Sequence, residues 1–153
     1  MKILDILAPD AVLPEMRAAS KVEALTELAD VVARLHPKID RAALVAVLRE
    51  REELGSTAIG EGIAIPHGKL AGVGEVLAAF GRSPRGIDFD SLDGGPTRLF
   101  FLLVAPEDSA GIHLKALARV SRLLKDAGFR DRLIASDTRE SIFATIKDED
   151  DKY

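Results

Sequence analysis

The run Leu99-Phe100-Phe101-Leu102-Leu103-Val104 is apolar at every position, and it constrains the fold more than any other feature of the chain. A strand with one wet face alternates apolar and polar residues. An unbroken apolar run of strand length belongs to a central strand covered on both faces. Helical patterns stand on either side of it. Ser20 and Glu23 form a capping-box pair ahead of Leu25, Leu28, Ala29 and Val32 at helical spacing. His36-Pro37 ends that helix, because the residue before proline is pushed out of the helical region. Asp40 caps a second helix with Ala43, Leu44, Val47 and Leu48 on one face, stopping near Leu54-Gly55. Ser109 is the expected cap of a third, carrying Leu114, Leu117, Val120, Leu123 and Leu124. A short helix is expected over 129–134, and Asp137 with Glu140 is the expected capping pair of a last one bearing Ile142, Phe143 and Ile146.

Between the helices, residues 63–65 and 76–80 read as strands, and 87–95 as a short extended piece and a turn. The pattern predicts a single α/β domain, a mixed β-sheet flanked by helices on both faces. Strand order is not encoded in it. The acidic run Lys147-Asp148-Glu149-Asp150-Asp151 predicts a domain over 1–147 and a solvated, disordered tail over 148–153.

Bulk properties exclude several function classes. The chain has 153 residues, 47% of them hydrophobic and 30% charged, with a net charge of −4. That balance suits one globular domain and argues against nucleic acid or an anionic membrane as the main partner. Cysteine is absent, which removes disulfides, thiolate metal sites and a cysteine nucleophile. No apolar run approaches the roughly 20 residues that cross a bilayer, so membrane insertion is not expected. Asp5 interrupts the short apolar N-terminal stretch, and no small-residue cleavage site follows. The expected location is therefore the cytoplasm.

The three histidines sit in different settings. His36, before Pro37, suits the negative end of a helix and carries no further sign of a site. His67, in Ile65-Pro66-His67-Gly68, follows a strand and is expected at a loop tip; the competing reading is an ordinary surface histidine. His113 lies in the first turn of the third helix and leans toward its apolar stripe. There a neutral imidazole could donate to an anion at the helix N-terminus, or be a satisfied core-edge side chain. Arg51 falls on the apolar stripe of the second helix, just before the glycine-rich segment. It needs an anionic partner or a route to solvent, and Glu52 or Glu53 could serve. Ser56 and Thr57 offer hydroxyls and backbone N–H groups to an anion, or simple turn chemistry. Gly60-x-Gly62 lacks the Walker lysine, and no G-x-S-x-G elbow is present. A zinc site built from His67, His113 and a carboxylate has no support in the spacing.

The segment Gly55-Ser-Thr-Ala-Ile-Gly-Glu-Gly-Ile-Ala-Ile-Pro-His67-Gly-Lys-Leu70 resembles the active-site segment of phosphotransferase-system enzyme IIA domains of the fructose, mannitol and nitrogen-regulatory branch. The likeness extends to Gly86-Ile-Asp-Phe-Asp-Ser-Leu-Asp-Gly94, to the strand ending at Pro106, and to His113-Leu-x-x-Leu-x-x-Val-Ser-x-Leu-Leu124. It implies that His67 is the phosphoryl acceptor, with His113 donating to the phosphoryl group and Arg51 stabilising its charge. Ser56, Thr57 and Gly68 would bind nearby, and no metal or cofactor is required. Ala58 departs from the glycine of many relatives. The leading expectation is a stand-alone nitrogen-regulatory carrier, since the length leaves room for one such domain. It would be charged by a histidine phosphocarrier protein (HPr or its nitrogen-branch counterpart) and would control partners such as kinases or transporters; a homodimer is left open. The alternatives are a sugar-specific IIA that feeds a separate IIB, and a binding module that is never phosphorylated.

Overall fold

The apolar run is the spine of the molecule. In the computed structural model, which describes residues 1–153, it forms β6 (Thr97–Pro106), with every residue from Leu99 to Ala105 buried. β5 (Leu77–Ile87) lies antiparallel to it on one side. On the other side run two short strands parallel to it, β3 (Ile63–Ala64) and β4 (His67–Leu70). β1 (Val12–Leu13) extends the sheet beyond β5, and β2 (Ala58–Gly60) pairs antiparallel with β3. The order is β1-β5-β6-β3-β2, with β4 set against β6. The sheet is mixed, as expected.

Five helices cover it: α1 (Lys21–Leu35), α2 (Arg41–Glu53), α3 (Ala110–Leu124), α4 (Ala127–Ala135) and α5 (Arg139–Asp151). α1 and α2 share one face. There Gly81 admits Met16 and Leu28, and Gly68 lets β4 approach Val47 of α2. α3 and α4 take the other face, where Arg82 Nε donates to Ile134 O at 2.9 Å and the rings of Phe80 and Phe101 meet edge-on. Ser20 and Asp40 cap α1 and α2 as expected, accepting from Glu23 N and Ala43 N.

Four expectations change. β5 runs past 80 to Ile87, because Arg82-Ser83-Pro84-Arg85-Gly86 carries no apolar period yet stays on the sheet as an irregularity between Arg82 and Ile87. Ser109 precedes α3, but its hydroxyl donates to Pro106 O and leaves the helix without a side-chain cap. The cap of α5 is Thr138, one residue later than Asp137, accepting from Ser141 N at 3.0 Å. The acidic end is not a frayed tail. α5 continues to Asp151, with Glu149 and Asp150 buried.

The burial of those acids has a cause outside their own segment. Arg119 of α3 reaches Asp150 Oδ1 at 2.7 Å, Arg132 of α4 reaches Glu149 Oε1 at 3.0 Å, and Lys2 donates to Asp150 O at 2.7 Å. A charge run looks solvated only while its partners, distant in sequence, are out of view. Removing one member of a buried pair strands the other, so Asp150→Ala should cost about 3 kcal/mol, read as a lower urea midpoint. A second test concerns the seat of β4. A Cβ on Gly68 would stand 2.6 Å from Val47 Cγ1, so Gly68→Ala should destabilise by about 2 kcal/mol through overpacking. Adding Val47→Ala should recover much of that loss.

Candidate functional site

β3 and β4 are one extended segment interrupted at Ile65-Pro66. Proline has no N–H to give, so the ladder is broken there. The flanking groups remain paired: Pro66 O accepts from Leu103 N at 3.0 Å, and Ile65 N donates to Thr57 O at 3.1 Å. The Ile65 carbonyl, which faces the Thr57 side, has no ladder partner, since Thr57 N donates to Glu52. It receives a hydrogen bond from Nδ1 of the His67 ring at 2.8 Å. His67 is thus the first residue of a strand, in register with Leu103, and not at a loop tip. It is half-buried there. A carbonyl can only accept, so in the neutral ring Nδ1 holds the proton and Nε2 keeps its lone pair.

His113 faces it from α3. The ring centroids are 5.4 Å apart with planes 69° from parallel. His113 is buried, and its Nε2 has no hydrogen-bond partner. A buried polar atom without a protein partner is costly, and this one is free to bond a group that enters the site. The first turn of α3 also lacks a side-chain cap, so its backbone N–H groups and the positive end of its dipole are not offset by one. Both imidazoles are held below the ordinary histidine range. Burial is the main cause for each; Arg51 adds to it at His67, opposed by the Ile65 carbonyl and Glu52, while His67 and Lys69 add to it at His113. The site therefore presents neutral rings at pH 7.

The other anticipated residues divide. Arg51 is close enough to act on His67 and spends one N–H on Gly55 O at 3.0 Å. Its remaining guanidinium N–H groups are uncommitted to Glu52 or Glu53. The Ser56 hydroxyl donates to Phe89 O, and the Thr57 hydroxyl donates to Glu52, so both protons are already engaged. Gly68 serves close packing. Ala58 sits in β2 and is not at a positive φ, so the methyl group is accommodated. His36 caps the C-terminus of α1 and lines a different cavity, of about 390 Å³, with residues 72–75. No group of three or more His, Asp or Glu side chains is placed to hold a metal ion. The residue that sequence reasoning missed is Glu52, a buried carboxylate bonded to Lys21 and Thr57. It was visible only as a partner for Arg51.

Residues 5–149 match the family model described as phosphoenolpyruvate-dependent sugar phosphotransferase system, EIIA 2. The chain belongs to that family. It is 47% identical over 146 residues to a nitrogen regulatory protein of Bradyrhizobium diazoefficiens, covering 95% of each chain. It is 37% identical to a fructose-specific EIIABC component of Bacillus subtilis, over 98% of this chain but 24% of that one. Among solved structures it resembles the nitrogen regulatory protein IIA-Ntr of Neisseria meningitidis, with a TM-score of 0.86, 32% identity and coverage of 93% and 97%. The mannitol IIA of Escherichia coli shares the fold, with a TM-score of 0.77 at 21% identity and coverage of 91% and 97%.

The depressed imidazoles make a direct prediction for this EIIA domain. Protonation is disfavoured in the folded state, so His67 and His113 should titrate below 6.5 by NMR. Because the unfolded chain then binds more protons in that range, the two rings should subtract from stability as pH falls below 6.5 and cost nothing well above it. A unique upward shift of either ring would contradict the burial described here.

Proposed function

We propose that this EIIA domain is a cytoplasmic phosphoryl carrier of the nitrogen-regulatory branch. His67 accepts the group from a phosphorylated histidine carrier protein (HPr or its nitrogen-branch counterpart), and the phosphorylation state controls partners such as kinases or transporters. The observation that carries this reading is the pairing of the two imidazoles: Nδ1 of His67 is committed to Ile65 O, and the unpartnered Nε2 of His113 stands across from the ring. The nitrogen-regulatory assignment draws on the 47% identity to the Bradyrhizobium protein across 95% of both chains. No helix is long and apolar enough to cross a membrane.

The step balances simply. The lone pair on Nε2 of His67 attacks phosphorus, a new N–P bond forms, and the donor's N–P bond breaks with its electron pair returning to the donor imidazole. The proton stays on Nδ1, which continues to donate to the Ile65 carbonyl. Transfer from nitrogen to nitrogen changes bond energy little, so what the protein supplies is position and charge. The bound phosphoryl group brings close to two negative charges. Arg51, Nε2–H of His113 and the uncapped N–H groups of α3 are the counterweights. Ile112 and Leu114, on either side of His113, are exposed apolar side chains and suit a docking protein at this mouth.

Incubation with phosphoenolpyruvate, enzyme I and the carrier protein, followed by intact mass, tests the reading. The wild type should gain one phosphoryl group and His67→Ala none; no gain in the wild type would mean a binding module instead. His113→Ala should fold and accept phosphate about a hundredfold more slowly, the usual cost of losing one charge-stabilising donor. The likeness to the fructose-specific component keeps one second reading, a sugar-transport IIA. Label passing on to a separate IIB domain of that type would favour it.

A further inference from the structure

Glu52 is not used by the transfer just described. Its side chain is 5% exposed, and a carboxylate so buried needs partners to offset its lost hydration. Those partners are well defined. Oε1 accepts from Thr57 N at 3.1 Å and pairs with Lys21 Nζ at 3.1 Å, while the other oxygen accepts the Thr57 hydroxyl. Lys21 is itself braced, with Nζ 3.3 Å from Asp90 Oδ2 and 4.9 Å from the centre of the Phe89 ring. Ser56, next to Thr57, donates to Phe89 O at 2.7 Å. Three elements meet here: the start of α1, the end of α2, and the segment entering β2.

From Thr57 the bonding runs on to the acceptor ring. Thr57 O accepts from Ile65 N at 3.1 Å, and Ile65 O accepts from His67 Nδ1 at 2.8 Å. We infer that Glu52 is a positioning residue for His67: clamped by Lys21, it fixes Thr57, and Thr57 through the backbone of Ile65 restrains the carbonyl that selects the tautomer and aims Nε2. Which ring nitrogen carries the proton is set by what the other one bonds. If the Ile65 carbonyl turned away, the ring would be free to hold its proton on Nε2, where it blocks attack. The inference rests on the phosphoryl-acceptor reading for its purpose, though not for its geometry.

The charge of Glu52 has a second effect. His67 is faced by Arg51, Glu52 and His113, with Lys69 acting on His113. Arg51 and burial lower the basicity of the ring, and the Glu52 carboxylate raises it. Removing that carboxylate while keeping its shape should lower the His67 titration further. Losing the Ile65 carbonyl bond would act in the same direction, because that bond also raises the basicity of the ring.

The experiment compares Thr57→Val, Thr57→Ser and Glu52→Gln with the wild type. The readouts are long-range proton–nitrogen NMR of His67, and kcat and KM with the phosphorylated carrier as donor. Thr57→Val and Glu52→Gln should populate the Nε2–H tautomer and lower kcat about tenfold, with KM held within about twofold. Thr57→Ser keeps the hydroxyl and should keep both. Glu52→Gln should in addition titrate lower than the wild type. Wild-type tautomer and kcat in Thr57→Val, equal damage in Thr57→Ser, or an upward titration in Glu52→Gln would overturn the inference. A wild type that holds its proton on Nδ1 yet never accepts phosphate would instead sink the carrier reading and leave the positioning intact.

Discussion

One missing hydrogen-bond donor organises this molecule's chemistry. Pro66 cannot supply an N–H, so the extended chain between β3 and β4 must break pairing at that point. The chain does not leave the sheet; Pro66 O still meets Leu103 N, and His67 resumes the register against β6. On the opposite edge Thr57 N donates to Glu52, and the Ile65 carbonyl turns to a side chain instead of a neighbouring strand. A histidine on an unbroken strand would have its ring placed by packing alone. Here it is placed by packing and by a directional bond that also decides which nitrogen is free. The rigidity of β6, buried along nearly its whole length, is what gives the break a fixed reference.

Burial of charge follows one rule at two ends of the fold. Glu52 and Asp150 are both carboxylates removed from water, and each is bonded to a cation and to backbone from a different element. Such pairs contribute little net stability against a hydrophobic replacement, yet leaving one half alone is costly. Their effect is therefore to make alternatives expensive. At Glu52 the excluded alternative is a free Ser56–Ala58 segment; at Asp150 it is a detached last turn of α5. The same cost that forbids an unpaired carboxylate makes the empty Nε2 of His113 informative, because nothing in the protein answers it.

The legible parts of the fold were those written in short-range pattern. The central strand, the caps at Ser20 and Asp40, and the apolar stripes of α1, α2 and α3 all depend on residues within a few positions of one another. The illegible parts depend on distance. The two-residue β1 has no period of its own and exists because β5 offers an edge. Thr138 won the cap of α5 over Asp137 by backbone placement, since both are competent cap residues. The acidic end looked solvated because Arg119 and Arg132 lie on other helices. In the site, His67 and His113 could be named from local context, and their meeting at 5.4 Å could not. Ser56 and Thr57 were identified as hydroxyls near the site, but their protons turn inward, toward Phe89 O and Glu52.

That inward turn bears on how the proposed acceptor site would meet a dianion. A site that held strong cations around an empty pocket would pay for them before the anion arrived, and would attract smaller anions in its place. Here the rings are neutral at rest because burial suppresses the protonation of both, with Arg51 adding to it at His67, and the hydroxyls that could fill the pocket are tied to the scaffold. The arriving group would then meet one arginine, one unpartnered imidazole nitrogen and the open end of α3. On the proposed reading, positive charge would develop fully only once the phosphoryl group is present to stabilise it, as a protonated His113 or a phosphorylated ring that keeps its Nδ1 proton. On the proposed carrier reading, the depressed basicity of the two histidines and a capacity to carry a dianion would be one property seen before and after transfer.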